Sequence, residues 1–209
     1  EGLMRHLEAL QAIADESNET RAWTTEGHRD SREYVIKMLT EAGVEVHEQA
    51  FVYIDWEITE ASLFAGEELD FSVFDGSPGG SASGDIVGVD LTLPPGAENS
   101  STSGCQANDF ADFPEGAIAL IQRGSCTFGQ KALNAEKAGA TAVLIFNEGQ
   151  QGRQGIVEGY LGEELSIPVL GLSFADGEAL ASTPTQGTLE VIGQLAEYDL
   201  VNVVAEIPG

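Results

Sequence analysis

Basic residues are scarce in this chain. Nine Lys and Arg stand against 35 Asp and Glu over 209 residues, a formal net charge of −26. Such a surface repels a phosphate backbone and excludes nucleic acid as a partner. Anionic membrane surfaces are disfavoured for the same reason. The acidity is accounted for by solubility or adaptation to salt; attraction of cationic substrates is the sharper reading, and no residue localises it. Long apolar runs are missing too. None approaches the roughly 20 residues needed to span a bilayer. No signal-peptide pattern is visible, and the chain opens at Glu1 without a Met, which suggests a mature or excised piece.

Catalytic signatures are equally absent. The sequence holds no Gly-x-Ser-x-Gly elbow, no His-Glu-x-x-His helix, no phosphate-cradling Gly-Lys loop, no dinucleotide fingerprint and no EF-hand loop. There are three histidines, His6, His28 and His47. His28-Arg-Asp30 has the His-x-Asp form used by paired-zinc peptidases. A metal pair needs about five or six N and O donors, and no other His stands in a ligand-like setting. The stretch reads instead as a helix start with Asp30 as its cap.

The two cysteines are Cys105, in a Ser/Gly-rich loop, and Cys126, just after an apolar run. In an exported protein they would pair; two free buried thiols are the alternative. Asn18-Glu-Thr20 and Asn99-Ser-Ser101 match the glycosylation sequon, and both fall in expected loops.

Enough apolar content is present, 42%, to bury a core. Leu3, Leu7, Leu10 and Ala14 recur at helical spacing over 3–16. A second helix is expected over 31–42, with a capping box from Asp30 to Glu33, a buried face of Tyr34, Val35, Met38, Leu39 and Ala42, and Gly43 as its stop. Residues 44–60 alternate and are rich in β-branched and aromatic side chains, predicting one long strand or two short ones. Beyond Ala61 the loops turn Gly-, Ser- and Pro-rich. Ile118–Ile121 and Ala142–Phe146 are continuous apolar runs, the mark of strands covered on both faces. Between them Thr127 caps an expected helix over 128–138. Ile167–Leu172 reads as another buried strand, followed by a short helix capped by Ser173 and Asp176. Residues 187–193 and 200–207 are expected as two further strands. Strand, helix, strand order predicts parallel pairing and a mixed α/β fold. At Arg123-Gly124-Ser125 a strand turns into a helix, whose backbone N–H groups could hold a carboxylate. A turn glycine beside a solvated Arg is the plainer reading.

The segment 61–195 resembles the protease-associated (PA) domain. The likeness rests on Gly116-Ala-Ile-Ala-Leu-Ile-Gln-Arg-Gly-Ser-Cys-Thr-Phe128, on Lys131, on Asn134-Ala-Glu-Lys-Ala-Gly-Ala140, on Val143-Leu-Ile-Phe-Asn147 and on Ile167-Pro-Val-Leu-Gly-Leu172. The flanks, His6–Asp15, Ser31-Arg-Glu-Tyr-Val35, Leu39–Gly43 and Gln49-Ala-Phe51, look like the amino-terminal helices of secreted dizinc aminopeptidases of the aminopeptidase Y type. In that family a segment like Val201-Asn-Val-Val-Ala-Glu206 leads back into the peptidase.

The resemblance implies a PA-type swivelling β/α domain at 61–195. Residues 1–60 would form the peptidase's opening helices and strand, and 196–209 a return strand toward a catalytic domain. It implies a non-catalytic region of a secreted zinc aminopeptidase that shapes substrate access or binds a protein or peptide. No catalytic or metal-ligating residue can be carried over, so no cofactor is expected in this chain, and zinc belongs to the parent enzyme. Cys105 and Cys126 are expected as a disulfide, and Arg123, Gly124 and Ser125 as a ligand contact. The expected partners are a peptide or protein substrate, or the catalytic domain itself. A free-standing binding module and a self-sufficient hydrolase are the competing readings.

Overall fold

Apolar runs too short to be helices, punctuated by glycine, set up the centre of the molecule. The computed structural model describes residues 2–207. Its elements run α1 (Gly2–Glu16), α2 (Glu26–Glu41), β1 (Glu45–Phe64), β2 (Ser72–Val73), β3 (Gly80–Gly88), a 3-10 turn (Ala107–Phe110), β4 (Ile118–Gln122), α3 (Phe128–Lys137), β5 (Ala142–Phe146), β6 (Val169–Leu172), α4 (Phe174–Ser182) and β7 (Gln186–Glu206). The strands lie in the order β1-β7-β3-β4-β5-β6-β2. Pairing is parallel from β3 through β6, and antiparallel where β7 meets β3 and where β2 meets β6. The fold is mixed α/β.

The chain divides into two compact units, one from Trp56 to Leu195 and one built from the two ends of the chain. In the Trp56–Leu195 unit the centre of the sheet is buried on both faces. All residues of β4, β5 and β6 are inaccessible or nearly so. Their side chains alternate with the strand period. Ile118, Leu120, Leu144, Phe146, Leu170 and Leu172 pack with Leu180 of α4. Ala119, Ile121, Val143, Ile145 and Val169 pack with Ala132 and Ala135 of α3. Small residues on α3 let the helix sit close to the strands. Thr127 caps α3 by accepting from the Gln130 N–H, and Ser173 caps α4 by accepting from the Asp176 N–H. Gly139, at φ +88°, makes the left-handed turn that brings the chain from α3 into β5.

The unit made of the chain ends departs from expectation in two ways. First, α2 begins at Glu26, and its cap is Thr25, whose hydroxyl oxygen accepts from the His28 N–H at 3.4 Å. Asp30 is therefore inside the helix. The early start has a packing cause: a Cβ at Gly27 would lie 2.2 Å from the Thr20 carbonyl oxygen, so the helix can pack there only on a glycine. Second, the apolar stripes are only partly buried: Ala14 is buried and Leu10 half-buried, but the rest of the α1 stripe is not. Leu3 is 74% exposed and Leu7 51%; Val35 and Ala42 are exposed, while Tyr34, Met38 and Leu39 are half-buried. Trp23 meets Tyr53 and Tyr198 edge-on, at 5.3 and 4.5 Å between ring centroids.

Residues 187–193 and 200–207 are not separate strands, because β7 runs unbroken from Gln186 to Glu206. Gly193 reads in sequence as an ending. In the fold it is a point of close approach, since a Cβ there would lie 2.7 Å from the Trp56 indole. The residues that follow it contain no breaker, so the extended backbone continues.

Leu144→Ala empties a site with no solvent access and is expected to cost about 2–5 kcal/mol. Val35→Ala, on an exposed face, is expected to cost under about 0.5 kcal/mol. Urea unfolding of the two variants checks the contrast.

Candidate functional site

The carboxyl ends of parallel strands are where open α/β sheets gather polar groups, and this chain follows that rule. Gln122 ends β4, Asn147 and Glu148 follow β5, and Lys131 and Asn134 come from α3; all are buried, as are Ser101 and Ser103. What fills the space between them is a loop of the same chain, residues 101–105.

The buried carbonyls of Ser101, Ser103 and Gly104 and the Ser103 hydroxyl all have partners. The Ser103 hydroxyl donates to the Val89 carbonyl at 2.5 Å and accepts from the Gln122 N–H at 2.9 Å. The Lys131 ammonium donates to the Ser103 carbonyl and lies 3.7 Å from the Cys105 sulfur. The Asn134 amide donates to the Gly104 carbonyl at 3.0 Å. The Ser101 carbonyl accepts from the Ser125 N–H at 2.9 Å. Cys105 and Cys126 form a disulfide that closes a stretch of 21 residues. The loop is thus tied to α3 by two side chains and to the end of β4 by a covalent bond.

Lys131 has the most perturbed surroundings. Burial lowers its pKa from 10.5 to about 8, and the carboxylates of Asp109, Glu148 and Asp90 pull the other way. Desolvation outweighs attraction because the side chain has no solvent access.

A second knot lies alongside. One oxygen of Glu148 accepts from Arg153 at 2.7 Å and from the Asn99 N–H at 3.2 Å. Arg153 also meets Glu98 at 2.5 Å and the Asn99 side-chain oxygen at 2.7 Å. Asn99 adopts φ +57°, a turn conformation that Asn tolerates.

Arg123, Gly124 and Ser125 lie at the edge of this network. A Cβ at Gly124 would be 2.0 Å from the Ser101 carbonyl oxygen, so the turn is pressed against the loop. The N–H groups of Arg123 and Ser125 are donated to Phe146 and Ser101. The Arg123 guanidinium donates to Asn147 at 3.4 Å and sits 6.0 Å from the centre of the Phe128 ring. The Ser125 hydroxyl also donates to the Ser101 carbonyl, at 3.2 Å, so what the turn offers outward is the Arg123 guanidinium.

His28 and Asp30 are two residues apart on α2. Side chains at that spacing diverge by about 200°, and Asp30 pairs with Arg29 at 3.5 Å. They do not converge on one ion. Among the described residues no group of three or more His, Cys, Asp and Glu could hold a metal, so the donor set does not fit a catalytic metal pair. His6 accepts from or donates to the Tyr34 hydroxyl at 2.7 Å.

Sequence reasoning singled out the cysteines and the Arg123 turn. It passed over the roles of Ser103, Gln122 and Glu148. A signal was present: Asn147-Glu148 directly follows a wholly apolar strand, where a polar pair must find partners or water.

Comparison with known proteins places this geometry. Residues 82–180 match the family described as PA domain. The chain is 38% identical over 217 residues to an aminopeptidase of Pseudomonas aeruginosa, across 98% of this chain and 40% of that protein. It is 31% identical over 214 residues to leucine aminopeptidase 2 of Trichophyton tonsurans, across 99% of this chain and 41% of that protein. Among solved structures, an aminopeptidase from Aneurinibacillus sp. strain AM-1 superposes with a TM-score of 0.71 at 24% identity, covering 96% of this chain and 46% of that one. A zinc aminopeptidase from Bacillus subtilis superposes at 0.62 with 25% identity, covering 94% and 44%. The chain therefore spans about two-fifths of the length of the curated relatives it matches.

Two predictions come from the buried network. Reduction of the Cys105–Cys126 bond is expected to lower stability by about 3 kcal/mol, as for a closed loop of this length; melting with and without dithiothreitol measures it. The second concerns pH. Below about 8 Lys131 is charged in both folded and unfolded chains, and the folded chain bears the full desolvation cost. Between about 8 and 10.5 the folded chain has released that proton and the unfolded chain has not. Stability therefore rises with pH across this window, by up to roughly 3 kcal/mol. Subtracting the pH profile of Lys131→Met from that of the native chain is expected to isolate the rise.

Proposed function

We propose, on the premise that this chain carries a PA domain, that it is the non-catalytic region of a zinc aminopeptidase and governs how substrates reach the active site. The observation that carries the reading is similarity to aminopeptidases along nearly the whole of this chain and about two-fifths of theirs. Residues 61–195 would act as the accessory module. Residues 1–60 and 196–209 would belong with the peptidase body.

Exposed apolar side chains support that division. Leu3, Met4, Leu7, Val52 and Ile54 are each more than half exposed. Leaving such surface in water is costly. A catalytic domain of the kind that makes up the rest of the relatives' length would cover it. Zinc would be held by that domain, not by this chain. The module would take peptide or protein as its partner, with Arg123, Gly124 and Ser125 offered to a ligand carboxylate. Export is part of the proposal, favoured by a disulfide, which persists in oxidising compartments.

The purified chain, supplied with zinc, is expected to leave leucyl-p-nitroanilide uncleaved and to take up no zinc tightly by calorimetry. Turnover, or stoichiometric tight binding, would overturn the reading. The encoding reading frame is expected to continue past Gly209 into a strand ending in His-x-Asp; a stop codon there would favour a free-standing binding module instead.

A further inference from the structure

Away from the buried network, the Trp56–Leu195 unit carries an open cleft of about 810 Å³. Clefts of roughly 300–1,000 Å³ commonly take small ligands. The Trp56 indole, 40% exposed, forms one wall. Two glycines set its position: a Cβ at Gly193 would lie 2.7 Å from the ring and one at Gly79 3.1 Å. Bare backbone lets the indole lie against β7 and against the segment entering β3. Ile192, 42% exposed, adds an apolar floor.

The same cleft is lined by Glu163 and Glu164. Both are exposed, and neither has an ion pair or hydrogen bond among the described residues. The cations of this unit are engaged elsewhere or lie elsewhere. Arg123 sits by Phe128, Lys131 is buried, Arg153 holds Glu98 and Glu148, and Lys137 ends α3.

An aromatic face beside two uncompensated carboxylates favours a cation with an apolar body. Two adjacent side chains are too few oxygens for a metal ion, and the charge turns away phosphates and acidic segments. Arginine fits best, because its planar guanidinium can stack on an indole and fork onto a carboxylate. We infer that this cleft binds a peptide segment presenting an arginine or lysine next to an apolar residue. The inference deepens the proposed accessory role and relies on it only for the choice of a peptide as the ligand.

The probe is acetyl-Leu-Arg-Leu-amide, blocked at both ends, with acetyl-Leu-Glu-Leu-amide as its control. The two indole N–H signals of the chain, assigned with Trp23→Phe, are followed by NMR. The arginine peptide is expected to shift the Trp56 signal saturably and leave that of Trp23 unmoved. Affinity is expected to fall about 10-fold in a Glu163→Gln, Glu164→Gln double variant, as for loss of close charge pairs, and to weaken with salt. Both substitutions are on the surface, so folding is preserved. Equal binding of the glutamate peptide, unchanged affinity in the double variant, or no saturable shift overturns the inference. That failure would leave the accessory reading standing, since zinc uptake and turnover test it without these residues.

Discussion

A buried loop must have its backbone polar groups answered, because none can reach water. In this chain residues 101–105 lie across the carboxyl ends of the parallel strands, and side chains answer the Ser103 and Gly104 carbonyls while the Ser125 N–H answers that of Ser101. Ser103 bridges β3 and β4, Lys131 and Asn134 reach up from α3, and the Cys105–Cys126 bond closes the circuit. The sheet edge, the helix start and the loop hold their places through this set of contacts. Its cost is a desolvated ammonium, visible in the lowered pKa of Lys131.

That arrangement bears on function. The end of an α/β sheet where ligands ordinarily settle is here occupied by the chain's own loop. An open cleft lies instead beside Trp56, lined by Glu163 and Glu164, and it is there that the proposed peptide would bind. Under the proposed accessory reading, the module would act by what it presents at its surface. Homology to aminopeptidases over about two-fifths of their length fits an accessory role. The exposed apolar residues Leu3, Met4 and Leu7 of α1 fit it as well, since such surface asks for another body.

Much of the fold was legible in the residues. Ala142–Phe146 has no polar member and is the central, doubly covered strand that such a run implies. Thr127 and Ser173 cap the helices that follow them. Legibility failed where two residues competed for one role. Asp30 and Thr25 both suit an N-cap, and the close approach of Gly27 to Thr20 selected Thr25. Gly193 suits a strand end, and the flat packing of Trp56 made it a contact point within β7. At the site, Cys105 and Cys126 could be named, but Ser103 and Gln122 could not. A serine in a Ser/Gly-rich loop carries no mark of burial.

What the sequence determined by itself was therefore local or compositional. Periodicity placed the buried strands, capping residues placed two helix starts, and the charge imbalance set a strongly acidic surface. These depend on neighbours a few positions away or on sums over the chain. Tertiary structure alone decided that Lys131 is buried, that a loop plugs the sheet's carboxyl end, and that Trp56, Glu163 and Gly193 line one cleft. Those facts join residues separated by tens of positions. Their physical cause is the folded chain's close packing, which sets which distant groups must share space and satisfy one another.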